Sequence, residues 1–223
     1  MNQQREEKPR LRLIAGPNGS GKTTLANYLM QEHPTISLGQ YLNPDDIAKH
    51  IHLDLQSLNA SCTPAQENDQ RSRLAQQIAM GLREDWVDCG RPFTYESVMS
   101  HAGHIEFVRN ARQKGFRTSL YFVCTNAADL NVSRVAQRVE MGGHDVPEDK
   151  IRGRYARSLT NLRDMLTHCD RAFFFDNSRK LTLLGEMDTQ TLILDEAAIN
   201  REQPRWFLEA VLRKWDSSRI RLV

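Results

Sequence analysis

The sequence has no C-x-x-C pair, no long apolar run, no internal repeat and no marked excess of either charge. Its four cysteines, Cys62, Cys89, Cys124 and Cys169, are scattered. That spacing excludes a disulfide framework and points to free thiols in a reducing compartment, so a cytoplasmic protein is expected. No apolar stretch approaches the roughly 20 residues that a membrane-spanning helix needs, and no signal-peptide pattern is present. Thirty Lys and Arg against 28 Asp and Glu give a formal charge of +2. Such a balance makes neither a membrane surface nor nucleic acid a required partner. The pairs His50-x-His52 and His101-x-x-His104 have no Cys or third His at zinc-binding spacing. A length of 223 residues suits one α/β domain with extensions and is enough to bury a core.

What is present is a complete G-x-x-x-x-G-K-[ST] stretch from Gly16 to Thr23, reading Gly-Pro-Asn-Gly-Ser-Gly-Lys-Thr. Leu11 to Ala15 before it reads as a short buried strand, and Thr24 to Met30 after it as a helix. This strand–loop–helix context is the one a phosphate-binding loop requires. Gly16, Gly19 and Gly21 let the backbone close around a polyphosphate, and Pro17, Asn18 and Ser20 complete the loop. The helix start adds the positive end of its dipole, Lys22 a full charge, and the Thr23 hydroxyl a ligand for Mg²⁺, with Thr24 next to it. A nucleoside triphosphate site follows, with ATP and Mg²⁺ as the expected cofactors.

The rest of the chain repeats strand then helix. Met1 to Arg10 reads as a loose tail. Tyr41 and Leu42 end a second strand, and the helix from Asn43-Pro44-Asp45-Asp46 is capped by Asn43 or Asp45. Leu53 to Pro64 reads as a loop. A long helix runs from Ala65 to about Asp88, with Leu74, Ile78, Leu82 and Trp86 or Val87 near helical spacing. Phe93 to Glu96 is a third strand, His101 to Lys114 a helix, and Thr118 to Cys124 a buried fourth strand. Ala127 to Met141 is a helix ending at Gly142-Gly143, and Pro147 opens another that reaches about His168. Arg171 to Phe175 is a fifth strand. The expected fold is α/β, a P-loop domain over residues 11–178 with a five-stranded, mostly parallel sheet and helices on both faces. Residues 179–223 are expected to add a hairpin, Leu181 to Leu184 with Thr191 to Leu194, and an amphipathic helix, Arg205 to Trp215, packed on the same domain.

In such a sheet the strand-end motifs at Gly16, Asp45 and Glu96 converge on one edge. Asp45 at a helix start is equally a helix cap or a general base for a substrate hydroxyl. No apolar strand is read as closing in the plain acid that often completes a Mg²⁺ site, so Glu96 is left to orient a metal-bound water or to bind a substrate hydroxyl. Arg134 and Arg138 share a helix face, and Arg152, Arg154 and Arg157 follow on the next helix. Two arginine-bearing helices joined by Gly142-Gly143 read as a lid over transferring phosphates. Near-neutral charge and the lack of a continuous basic groove argue against a nucleic-acid end kinase.

These blocks resemble the zeta toxin family of small P-loop kinases. The resemblance rests on the phosphate-loop block from Ala15 to Thr24, Asn43-Pro-Asp-Asp-Ile-Ala48, Glu96-Ser-Val-Met-Ser100, Arg138 through Gly142-Gly143-His144-Asp-Val-Pro147, Ile151-Arg-Gly-Arg-Tyr155 and Phe175-Asp-Asn-Ser178. It implies an ATP-dependent phosphotransferase with Asp45 as catalytic base, assisted by Lys22 and by Arg138 on the phosphates. It places Glu96 on a sugar-nucleotide acceptor. Ser97, Ser100, His144, Arg152 and Arg154 are further acceptor-side candidates, and Arg134 is a candidate on the nucleotide side. Zeta toxins phosphorylate the 3′-hydroxyl of the amino sugar in UDP-N-acetylglucosamine, and an antitoxin can cover their nucleotide site. The family's second catalytic arginine has its nearest counterpart here in His144, with Arg152 and Arg154 further on. The block at Glu96 carries serines where many relatives have threonines.

Overall fold

A computed structural model describes residues 8–33, 35–58, 61–143 and 145–223. Of the expected loose tail, residues 1–7 lie outside the described residues, as does His144, and Arg10 already belongs to a strand. In order come β1 (Arg10–Ala15), α1 (Lys22–Glu32), β2 (Gln40–Leu42), α2 (Pro44–Lys49), α3 (Leu55–Leu58), α4 (Pro64–Asp88), β3 (Phe93–Ser97), α5 (Gly103–Gln113) and β4 (Arg117–Cys124). Then follow α6 (Ala128–Glu140), α7 (Glu148–Thr167), β5 (Arg171–Asp176), β6 (Thr182–Asp188), β7 (Thr191–Leu194), α8 (Glu196–Glu202), α9 (Arg205–Ala210) and β8 (Ile220–Leu222).

The strands form one sheet in the order β2-β3-β1-β4-β5-β6-β7-β8, eight strands among the described residues rather than the five expected. The first five are mutually parallel, which the intervening helices permit. The C-terminal hairpin adds β6 and β7 antiparallel to the β5 edge, and β8 then pairs parallel to β7. Each addition satisfies the backbone groups of an otherwise open edge. The segment after Ser178 therefore extends the main sheet instead of only lying on it.

Alternation along β1 separates two cores. Leu11, Leu13 and Ala15 face one side with Val87, Phe107, Leu162, Met165, Trp206 and Phe207, so α4, α5, α7 and α9 cover that face. Ile14 faces the other side with Leu25, Ala26 and Leu29 of α1. The face of α4 keeps the expected Leu82 and Trp86 or Val87 but departs from the expected stripe by one residue before them. Ala75 and Ala79 are buried and Leu82 and Trp86 pack on the core, at i, i+4, i+7 and i+11, whereas Leu74 and Ile78 are 38% and 44% exposed. Small alanines let the helix approach closely, and the larger residues beside them fall on its flank. The loop expected before α4 contains the short turn of α3, and α8 has no counterpart in the sequence reading. The expected helix from Arg205 to Trp215 breaks at Val211 into α9 and a 3-10 turn.

Candidate active site

The phosphate loop joins β1 to α1 at the carboxyl edge of the sheet. Gly21 is left-handed at φ 98°, and a Cβ there would lie 2.1 Å from Asn177 Nδ2. A Cβ on Gly19, at φ 75°, would lie 2.6 Å from the Asn131 carbonyl. Both positions are thus restricted to glycine by conformation and by space. Two side-chain amides hold the loop from behind. Asn131 Nδ2 donates to the Asn18 carbonyl at 2.5 Å, and Asn177 Nδ2 donates to the Ser20 carbonyl at 2.9 Å. Gly16 N–H donates to the Ser97 carbonyl at 3.2 Å. With Gly16 N–H bonded to Ser97 and Ser20 N–H bonded to the Pro17 carbonyl, fixing carbonyls outward leaves the loop's other N–H groups to face an anion. The start of α1 suits one: no side chain caps it and its first turn carries no acid. The Ser20 hydroxyl is fully buried with no partner, a further polar group available inside the cradle.

Lys22 lies in this cradle with its side chain 12% exposed and its Nζ 4.0 Å from Glu96 Oε1. Burial pulls its ammonium below the ordinary lysine range. Glu96 and Asp45 oppose that shift, and Arg138 and Arg154 add to it. Lys22, Asp45, Glu96, Arg138 and Arg154 therefore share one electrostatic neighbourhood. Arg154 Nη1 also donates to Asn18 Oδ1 at 3.2 Å. Arg134 Nη2 donates to the Ser178 carbonyl at 3.4 Å, one residue past the Asn177 clamp. Thr23 and Thr24 are exposed on the first turn of α1.

Asn43 organises the opposite wall. Its Oδ1 accepts from Asp45 N–H at 2.9 Å and so caps α2. Its Nδ2 donates to Glu96 Oε2 at 3.3 Å, beside the Tyr41 hydroxyl, which donates to the same oxygen at 2.8 Å. The choice between Asn43 and Asp45 as cap is thereby decided for Asn43, and the exposed Asp45 carboxylate is not spent on capping. Burial and the negative charge of Glu96 raise the Tyr41 phenol well above its usual range, which keeps it a donor.

Other candidates fall elsewhere. Arg152 is exposed and paired with Asp129 at 2.6 Å and Glu148 at 2.7 Å, tying α7 to α6 rather than joining Lys22. The Ser97 hydroxyl accepts from Met99 N–H and contacts His104, so it is engaged within the protein. Ser100 is half-exposed on the same loop. The two glycines end α6 as the sequence predicts: Gly142 N–H bonds Val139 O and Gly143 N–H bonds Arg138 O, the Schellman pattern. A small core of Val135, Val146 and Ile151 joins the two helices that they connect. Strand β5 closes in Asp176, the acid that the sequence places after Phe175. However, Asp176 is fully buried and accepts from Ser178 N–H, Ser178 Oγ and Trp206 Nε1, so it is held by its own chain.

The sequence reading assigns no role to Asn131, Asn177 or Tyr41, and takes Asn43 only as a cap candidate. Asparagine after a strand or within a helix carries no local pattern that distinguishes a loop clamp from a turn residue. Among the described residues no group of three His, Cys, Asp or Glu could hold a metal by itself. A Mg²⁺ ion takes one or two protein oxygens and completes its shell from phosphate and water, and the exposed Thr23 hydroxyl at the end of the phosphate loop fits that demand.

The model of the zeta toxin family matches residues 1–188. An uncharacterized protein of Haemophilus influenzae is 28% identical over 144 residues, 63% of this chain and 88% of that protein. The fold is similar to a chain of the PezAT chromosomal toxin–antitoxin system of Streptococcus pneumoniae, with TM-score 0.60 and 17% identity over 79% of this chain and 71% of that one. It is also similar to a chain of the AvrRxo1-ORF1:AvrRxo1-ORF2 complex with ATP, with TM-score 0.62 and 15% identity over 88% of this chain and 63% of that one. With its P-loop kinase fold and a family match covering most of its length, the chain belongs to the zeta toxin family.

Proposed function

We propose that this protein is an ATP-dependent phosphotransferase that moves the γ-phosphate to a hydroxyl of a small molecule. The observation that carries this reading is the placement of Asp45 and Glu96 around Lys22, on the wall facing the phosphate cradle. An ATPase needs no second wall bearing an uncapped carboxylate, whereas a kinase needs one to take the acceptor's proton. ATP supplies the phosphoryl group, and bound Mg²⁺ neutralises charge on it. Gly16 to Thr23 hold the phosphates, and the Thr23 hydroxyl is a metal ligand. Asp45 takes the proton of the acceptor hydroxyl. Lys22, Arg138 and Arg154 stabilise charge on the transferring oxygens, which matters most once water is excluded. Glu96, fixed by Asn43 and Tyr41, offers Oε1 to an acceptor hydroxyl.

Family membership favours a UDP-amino sugar, with UDP-N-acetylglucosamine first, as that acceptor. The test is incubation with Mg-ATP and a panel of UDP-sugars, nucleosides and aminoglycosides, read by mass for the gain of one phosphate. Asp45→Asn is expected to melt with the parent and bind ATP normally, because Asn43 is the cap, yet to lose transfer. An Asp45→Asn variant that transfers at the parent rate would remove Asp45 as base.

A second reading is partner association. The similar PezAT chain comes from a toxin–antitoxin system, so an antitoxin is a proposed partner here. Nucleotide hydrolysis without any phosphorylated product, together with a co-purifying small protein, would favour it.

A further inference from the structure

A half-buried polar chain runs from α4 to the loop that follows β3. Arg83 Nη1 lies 3.2 Å from His104 Nδ1 on α5, and His104 Nε2 lies 2.9 Å from Ser97 Oγ. A guanidinium can only donate, so Nδ1 must accept and the ring's proton sits on Nε2. Nε2–H then donates to Ser97 Oγ, which also accepts from Met99 N–H at 2.9 Å. This direction excludes a Ser–His nucleophile pair, since the nitrogen facing the hydroxyl already carries a proton. The ring stacks on Tyr95 at 6.3 Å, and Arg83 lies over Phe107 at 4.3 Å, so the chain is held by packing as well.

The chain ends at a strained residue. Met99 is fully buried at φ 56°, a left-handed conformation rare for a long side chain. Such a turn persists only when its surroundings over-determine it. Besides the Ser97 bond, Ser158 Oγ donates to the Val98 carbonyl at 2.6 Å and Asn161 Nδ2 to the Met99 carbonyl at 3.0 Å. Glu96 lies just before this turn and Ser100 immediately follows it. The helix that carries Arg83 also packs against α2, the helix of Asp45.

We propose that Arg83 and His104 are positioning residues for the acceptor: acting through Ser97, they hold the Met99 turn and so set Glu96 and Ser100 opposite the phosphate loop. The proposal rests on the reading of this wall as the acceptor side. The phosphate loop shares one backbone bond with this strand end, Gly16 N–H to the Ser97 carbonyl, but it has its own side-chain clamps in Asn131 and Asn177, so the chain acts chiefly on the acceptor side.

His104→Phe keeps the aromatic stack and removes both hydrogen bonds, whereas His104→Gln retains one acceptor and one donor. Amide exchange at Met99, affinity for a fluorescent ATP analogue, and KM and kcat for UDP-N-acetylglucosamine would be measured on each. In His104→Phe, protection of the Met99 amide and kcat/KM for the acceptor are each expected to fall roughly tenfold or more, the worth of one to two hydrogen bonds. ATP-analogue affinity stays within about twofold and His104→Gln recovers most of the loss. Unchanged Met99 protection in His104→Phe overturns the proposal, and so does lost protection with parent acceptor kinetics. If the parent protein phosphorylates no acceptor, the proposed function fails. Binding of UDP-N-acetylglucosamine to the ATP-analogue complex then replaces KM as the readout, and equal binding by parent and His104→Phe overturns the positioning role.

Discussion

Asn43 does two separable things, and substitutions can part them. Its Oδ1 caps α2 through Asp45 N–H at 2.9 Å, while its Nδ2 serves Glu96 at 3.3 Å. Asn43→Ser keeps a capping oxygen and loses only the amide donor. Glu96 Oε2 retains the Tyr41 hydroxyl, so the loss is one hydrogen bond of about 1 kcal/mol. Asn43→Ala loses the cap as well, a further cost of about 1 kcal/mol. For a chain of this length the two variants should melt about 2–4 °C and about 4–8 °C below the parent. Asn43→Asp keeps the cap but sets a second carboxylate against Glu96. It should be destabilised at neutral pH and regain stability relative to the parent as the pH is lowered toward about 5, where the pair shares a proton. Parallel thermal melts at about pH 5 and pH 7, with phosphate transfer at neutral pH, check this. The reasoning fails if the Ser and Ala variants melt together, or if the Asp variant matches the parent at neutral pH.

Gly21→Ala should abolish nucleotide binding, because its Cβ would push Asn177 off the Ser20 carbonyl; titration with a fluorescent ATP analogue measures it. Trp206→Phe keeps most of the packing but removes the indole donor from buried Asp176. A loss of about 1.5–3 kcal/mol is expected in denaturant titration, and none would show that Asp176 finds other partners. Burial, then the charges of Arg83 and His101, lower the His104 pKa from 6.5 to about 4. The unfolded chain therefore binds more protons between those values, so stability is full above about pH 6.5 and falls as pH drops toward about 4. The difference from the His104→Phe variant should reach up to about 3 kcal/mol, and parallel acid-denaturation curves would refute it.

Much of the molecule follows from local pattern. The phosphate loop is legible because its chemistry is contiguous: glycines, lysine and hydroxyl act within one turn of chain. The same holds for β1, β4 and the helices that end in glycine, where a strand's apolar run or a helix stop is a short-range property. The first half of the stripe read on α4 is off by one residue, Leu74 and Ile78 for Ala75 and Ala79, because alanine reads weakly in a hydrophobic pattern yet packs closest; Leu82, Trp86 and Val87 pack as read. Five strands are read in the sheet and two more as a separate hairpin; that the hairpin joins the β5 edge, and that the three residues of β8 pair with β7, depends on partners that only folding brings alongside.

The site divides the same way. The sequence by itself determined the donor half, Gly16 to Thr23, and marked Asp45, Glu96 and the arginines as candidates. Only the tertiary structure decided that Asn43 caps α2 and frees Asp45, that Arg154 joins Lys22 while Arg152 ties two helices together, and that Asp176 is held by Trp206. It alone showed Asn131 and Asn177 gripping the loop from positions 113 and 157 residues further along the chain. The physical reason is range. Backbone conformation is set by neighbours in sequence, but a polar side chain takes its role from whichever group folding brings within hydrogen-bond distance.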